Sequence, residues 1–383
     1  MPVGALIAAV ALAAVAAAAP ADVHPQIRVG VFPTGMALDP GTGTLYVGNG
    51  TANTLSLVDS RRCNSGNTHG CSQKATAVAA GPDPIGLAVD EAGKTLYVVN
   101  FSGTVSVVDG RKCNATDASH CRVAAATLQV GLDPQFLAVD QKTHTIYVAN
   151  SGSNTVSVID GRKCAQGWSR HCARVRGTVH VGPGPFTVAV NDATHTVYVT
   201  DFGGDTISMI DARKCNAADV SGCGRKPVSV NVGEIPGGIA VDTLTNTIYV
   251  SGEFSNDVSV IDGRACNGST ATGCRKRPVK VLAGAGARGI AVNEATNTIY
   301  VANTAANTVS VIDGSSCNGT VQTGCSQAAA AVPVGVSPRR VVVDPATNTI
   351  YITNAFSNSI TMLDGRTCDG KVRSGCGRPG TTA

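Results

Sequence analysis

Residues Asp133–Cys164 read DPQFLAVDQKTHTIYVANSGSNTVSVIDGRKC, followed by AQGWSRHCARVRGTVHVG to Gly182. The stretch holds four short runs rich in β-branched residues: FLAVD, TIYVAN, TVSVID and GTVHVG. Gly, Asn, Asp and Pro bound each run, and no helical periodicity lies between them, so the unit predicts four strands. The same unit recurs along the chain. Seven tyrosines, Tyr46, Tyr97, Tyr147, Tyr198, Tyr249, Tyr300 and Tyr351, mark the second run of every copy. Units of about fifty residues with four strands each are the signature of propeller blades, and seven of them fit a closed ring. A parallel β-helix needs shorter rungs, and an open solenoid needs distinct caps, which neither end shows.

The ends of the repeat predict how the ring closes. Gln26–Gly30, QIRVG, matches fourth runs such as TLQVG and TVHVG. The last unit has VVVD, TIYITN and SITMLD, then continues past Cys376 into GRPGTTA without a fourth run. The N-terminal strand is therefore expected to complete the last blade and remove an open sheet edge. The expected fold is an all-β, seven-bladed propeller of four-stranded blades spanning residues 22–383.

The cysteines keep the same beat: Cys63/Cys71, Cys113/Cys121, Cys164/Cys172, Cys215/Cys223, Cys266/Cys274, Cys317/Cys325 and Cys368/Cys376. Every pair is C-x7-C, between the third and fourth runs. An even count at fixed spacing in an exported chain reads as a disulfide framework, here one local bridge per blade. Closing such a nine-residue loop is worth about 2–3 kcal/mol. Zinc sites use tighter C-x2-4-C spacing and four convergent ligands, which pairs spread around a ring do not supply. His69, His120 and His171, beside three second cysteines, read as surface loop residues. A redox role wants C-x-x-C and an asymmetric pair. No metal is expected at the cysteines.

Export is suggested by residues 1–21, MPVGALIAAVALAAVAAAAPA, an apolar run ending in small residues that reads as a signal peptide. No Lys or Arg precedes it, so an uncleaved anchor is the alternative. No cysteine stands near the cleavage point to carry a lipid. Nothing downstream is apolar for long enough to span a bilayer. The expected location is secreted or envelope-associated.

The motifs YVGN (Tyr46–Asn49), YVVN (Tyr97–Asn100), YVAN (Tyr147–Asn150, Tyr300–Asn303), YVTD (Tyr198–Asp201) and YITN (Tyr351–Asn354) resemble those of the YVTN-repeat β-propellers. The surrounding P-x-G-I-A-V-D and N-T-V-S-V-I-D-G patterns strengthen the likeness. The resemblance implies a propeller of exported, surface-type proteins and says little about activity.

Most polar residues of the repeat have a structural reading. Asp39, Asp90, Asp140, Asp242 and Asp344, with Asn191 and Asn293, end the first runs; Asp59, Asp109, Asp160, Asp211, Asp262, Asp313 and Asp364 end the third. Such residues form turns by bonding their own backbone. No nucleophile–base arrangement, phosphate loop or metal-binding helix stands out. A functional site on a symmetric ring should lie where the symmetry breaks. On the face formed by the fourth-to-first and second-to-third connections, blades 4 and 5 depart towards acid through Asp201, Glu234, Glu253 and Asp257. Blades 6 and 7 depart towards base through Arg288, Arg339 and Arg340. Phe101, Phe202, Phe254 and Phe356 lie in the same loops. These seven charged residues are the candidate ligand-binding set, at the mouth of the channel.

The opposite face is basic. Between the third-run Asp-Gly and the fourth run, Lys and Arg number 3, 3, 5, 4, 5, 0 and 4 by blade, 24 of the chain's 30. That ring could attract an anionic cell-envelope polymer, and another surface protein is the other partner class considered. Nucleic acid is disfavoured because Trp168 is the sole aromatic candidate for stacking. The expected function is that of a non-enzymatic binding or scaffold module, monomeric and without cofactor. The alternative is a metal-assisted lyase or lactonase at the channel mouth, with a divalent cation near Asp201, Glu234 and Glu253.

Overall fold

The computed structural model describes residues 24–72, 75–119, 121, 127–166 and 173–377, with the side chains of 165 and 166 excepted. The expected signal segment, His120, Trp168, His171 and Cys172 lie outside the described residues. Seven four-stranded antiparallel sheets follow one another along the chain. The inner strands are Pro33–Asp39, Pro84–Asp90, Pro134–Asp140, Pro185–Asn191, Pro236–Asp242, Ala287–Asn293 and Pro338–Asp344. Each packs against its neighbours on both sides, the last against the first, so together they enclose a central channel.

Closure is as the ends of the repeat predict. Gln26–Arg28 forms the outer strand of blade 7, pairing antiparallel with Ser359–Asp364 in the register Gln26↔Thr361, Ile27↔Ile360, Arg28↔Ser359. Ile27 is fully buried in the seam between blades 7 and 1, with Tyr351, Met362 and Leu45.

The core is a set of seams between blades. Each second strand, such as Thr145–Asn150, is buried along its whole length because a neighbouring sheet covers each of its faces. This is why the IYVA within TIYVAN runs without the polar alternation of a half-exposed strand, whereas outer strands such as Val228–Asn231 are partly exposed. The seam between blades 3 and 4 shows the composition: Tyr147, Val156 and Val158 from one blade meet Val188, Val197 and Ile210 from the next.

Short polar bonds set the turns. The Asp39 carboxylate accepts the Gly41 N–H at 2.9 Å, and Asp140 accepts those of Lys142 and Thr143 at 3.0 and 3.1 Å. The motif Asn ahead of the third strand is left-handed, as at Asn256 (φ 54°), a conformation Asn tolerates better than most residues. Its side chain accepts the Gly286 N–H at 2.8 Å and so links blade 5 to the start of blade 6.

Six C-x7-C bridges close among the described residues: Cys63–Cys71, Cys113–Cys121, Cys215–Cys223, Cys266–Cys274, Cys317–Cys325 and Cys368–Cys376. Cys164 is also disulfide-bonded. These loops do more than fasten their own blade. The hydroxyl of Tyr249 donates to the Cys317 carbonyl of the following blade at 2.8 Å, and Tyr351 closes the circle onto Cys63 at 2.8 Å. The Gly319 N–H of the same loop donates to Thr247 Oγ1 at 2.8 Å. Each bridged loop is thus a clasp on the preceding blade, and the repeated Tyr and Thr are its receptors. Blade 3 departs from this rule: its loop opens with a short helix, Arg162–Gln166, and the buried Tyr97 hydroxyl has no partner among the described residues. Bridges in this number belong to a chain that folds in an oxidising, extracytoplasmic environment.

Candidate functional site

The second and third positions of the inner strands lie at the channel-mouth end of each blade, and here the seven blades differ. The second position is Thr34, Ile85, Gln135, Phe186, Gly237, Arg288 and Arg339; the third is Gly35, Gly86, Phe136, Thr187, Gly238, Gly289 and Arg340. Each inner strand bulges here, between Pro338 and Val341 in blade 7 for example, so its pairing with the second strand is interrupted. Glycine at the third position has a steric cause. A Cβ on Gly289 would collide with the Arg339 carbonyl of the next blade, and one on Gly86 would lie 2.6 Å from that of Gln135. Where the third residue is not glycine it is Phe136, Thr187 or Arg340, and the Thr187 hydroxyl donates to the Gly237 carbonyl of the next blade at 2.7 Å.

The aromatic and basic side chains of these positions meet across the opening. The Arg340 guanidinium of blade 7 lies 3.6 Å from the centroid of the Phe136 ring in blade 3. That of Arg288 in blade 6 lies 5.0 Å from Phe186 in blade 4. Neither pair of blades is adjacent, so both contacts span the channel. Arg339 stacks on Phe32, at the start of blade 1, at 4.8 Å. Phe136 meets Phe186 edge-on at 5.1 Å, and Phe186 continues to Phe202 at 5.2 Å.

Charge in this cluster is unbalanced. Glu253 pairs with Arg288, whose Nη1 donates to its two carboxylate oxygens at 3.1 and 3.2 Å. Arg339 and Arg340 have no carboxylate within ion-pairing distance among the described residues, and the buried Nε of Arg339 has no acceptor. Burial, helped by repulsion from Arg288, brings both guanidiniums down to about 9, with the Glu253 carboxylate opposing the shift at Arg339. Both still keep part of their surface open to the channel. They remain cationic near neutral pH, with cation–π contacts in place of counter-ions.

The expected site residues therefore separate. Arg288, Arg339, Arg340 and Glu253 converge; Asp201, Asp257 and Glu234 do not join them. Asp201 is fully buried at the end of its second strand, where its Oδ2 accepts the hydroxyls of Thr206 and Ser208, both at 2.8 Å. That is the place of Asn150, which donates to Thr155 and Ser157 in blade 3. Asp201 is a strand fastener, and its burial pushes it up to about 6. Asp257 is held by Lys280 on the outer strand at 2.8 Å. Lys280, counted with the basic ring by its place in the sequence, thus serves the opposite end of its blade. Glu234 is exposed in the fourth-to-first connection. Among the described residues no three His, Cys, Asp or Glu side chains group so as to hold a metal ion, and Asp201, Glu234 and Glu253 form no ligand set.

The basic face is weaker than its composition suggests. Asp59, Asp109, Asp160, Asp211, Asp262 and Asp364 each bind the Arg two residues on, at 2.7–3.1 Å. In blade 6, Ser315 occupies the place of that Arg and donates to Asp313. Six of the ring's arginines thus have an acid beside them, which lowers its long-range field.

Phe136 and Phe186, the aromatic part of the cluster, were not among the expected site residues. The signal for them was present: a bulky side chain in positions that blades 1, 2 and 5 fill with Gly, Thr or Ile. It becomes meaningful only once the seven inner strands are superposed around one channel.

The family described as "Lactonase, 7-bladed beta-propeller" matches residues 44–375. No curated protein is significantly similar in sequence. Among solved structures, the chain is similar to Kuenenia stuttgartiensis hydrazine synthase, with 20% identity, 90% of this chain and 97% of that chain covered, and a TM-score of 0.66. It is also similar to a streptogramin B lyase, at 10% identity, with 88% and 95% covered and a TM-score of 0.62. At these identities the two structures show the shared propeller fold. The family match, spanning most of the repeat, shows that the chain belongs to the lactonase family of seven-bladed β-propellers.

Proposed function

For this member of the lactonase seven-bladed propeller family, we propose a role as an exported binding module that takes a small anionic ligand at the mouth of its channel. Within the family its YVxN motifs favour the YVTN-repeat type, and the apolar residues 1–21 together with the disulfides favour export. The observation that carries the reading is the excess of positive charge in an enclosed place. Three guanidiniums meet there and one carboxylate answers them. Cations withdrawn from water without counter-ions are costly, so a ligand that supplies the missing negative charge binds with a gain that a surface arginine would not give. Arginine also presents a planar fork that matches carboxylates and related anions.

A second reading, favoured by the family match, is hydrolysis of a lactone at the same place. Glu253, held by Arg288, would orient or deprotonate a water, and the neighbouring guanidiniums would stabilise the oxyanion. A divalent cation on Asp201, Glu234 and Glu253 finds no support in their placement.

One set of measurements tests both. Purified mature protein is titrated calorimetrically with small organic and inorganic anions at low and high salt, and a panel of lactones is followed in a pH-stat. The binding reading expects saturable anion binding that weakens with salt and drops at least tenfold in Arg340→Gln, without acid release. Acid release abolished in Glu253→Gln would establish the second reading. Absence of both in a folded protein would overturn the proposal.

A further inference from the structure

Resting on the channel as an anion site, we infer that its ligand is a dicarboxylate with a short apolar spacer, one carboxylate held by Arg339 and the other by Arg340.

The two unpaired guanidiniums are neighbours in sequence but diverge in space. Arg339 rests on Phe32 at the start of blade 1, the blade next to its own. Arg340 crosses the channel and rests on Phe136 of blade 3. They form two cationic poles, while Arg288 has a partner in Glu253, so three guanidiniums and one carboxylate leave a net charge of two to be answered. A compact anion such as phosphate or sulfate would satisfy one pole and leave the other buried and unpaired, with its desolvation cost uncompensated. A ligand with a carboxylate at each end matches the poles one to one, and its two negative charges equal the two unanswered positive ones. Hydrocarbon surface adjoins the Arg340 pole: Phe136 beneath its guanidinium continues edge-to-face into Phe186 at 5.1 Å. Methylene or other apolar atoms suit that wall, whereas hydroxyl groups there would lose hydration without a partner. The ring positions also explain how the poles stay apart when no ligand is bound: each guanidinium is held by its own aromatic face.

The test uses wild-type mature protein and isothermal titration with acetate, succinate, glutarate, adipate, sulfate and inorganic phosphate at matched ionic strength. A dicarboxylate is expected to bind at least tenfold more tightly than acetate, phosphate or sulfate, with an optimum in spacer length. Arg339→Gln and Arg340→Gln should each bring the best diacid down to the level of acetate and flatten the dependence on spacer length. That dependence is read on the unmodified protein, so it stands even if a variant fails to fold. Phosphate or sulfate binding as tightly as the best diacid would overturn the ligand class and leave the anion site intact. If none of the six anions binds the folded protein, the inference and the anion-binding role fall together.

Discussion

Asp201 and Asn150 hold the same place in successive blades, yet the hydrogen bonds run in opposite directions. The Asn amide donates to two hydroxyls, whereas the Asp carboxylate accepts from two. Burial pushes Asp201 up to about 6, above the roughly 3.9 of an aspartate in an unfolded chain. The folded protein therefore holds this proton more tightly. Its contribution to stability is greatest below pH 4, falls as the pH rises from about 4 to about 6, and is constant above. Asp201→Asn restores the residue that five of the other blades carry, Gly252 standing there in blade 5. It is expected to raise stability at pH 7 by about 3 kcal/mol, with most of the gain lost near pH 4. Urea melts at the two pH values check this, and an equal effect at both would contradict it.

At the scale of the element, the bridged loop is the unit that distinguishes this propeller from a plain repeat. The cysteine spacing predicts a bridge internal to each blade; the structure shows that, outside blade 3, the loop it shapes is gripped by the preceding blade through Tyr and Thr. Removing the hydroxyl of Tyr249 leaves the buried Cys317 carbonyl without that donor, so Tyr249→Phe should cost about 1–2 kcal/mol. Tyr97→Phe should be nearly neutral, because the helix Arg162–Gln166 of blade 3 replaces the clasp and Tyr97 donates to nothing among the described residues. Chemical denaturation of the two variants side by side decides the matter. Equal losses would mean that the hydroxyls act through packing alone.

For the whole molecule, stability depends on a ring that one short N-terminal strand closes. Deleting residues 24–30 removes the partner of Ser359–Asp364 and opens an edge beside the buried Ile360 and Met362. The truncated protein should melt at lower temperature and associate with rising concentration, as exposed strand edges do. Sedimentation velocity with thermal melts would show it, and a monomer with unchanged melting would argue that the ring holds without this strand. The face of the ring that matters for binding also emerges at this scale. The D-x-R pairs temper the basic face, while the mouth keeps two guanidiniums unanswered.

The blade count, the closing strand and the local bridges were legible in the sequence because each is a matter of periodicity and counting along the chain. So was the break in symmetry at Arg288, Arg339 and Arg340. What linear order could not supply was which broken positions meet. Asp201 and Arg340 look alike as departures from a repeat, but one ends a buried second strand and the other begins an inner strand beside the channel. Phe136 and Arg340 stand 204 residues apart in the sequence, in blades 3 and 7, and ring closure alone brings them face to face. The repeat determines the ring because its hydrophobic pattern and turns act within fifty residues; the site is decided by tertiary structure because a channel joins residues from all seven blades at once.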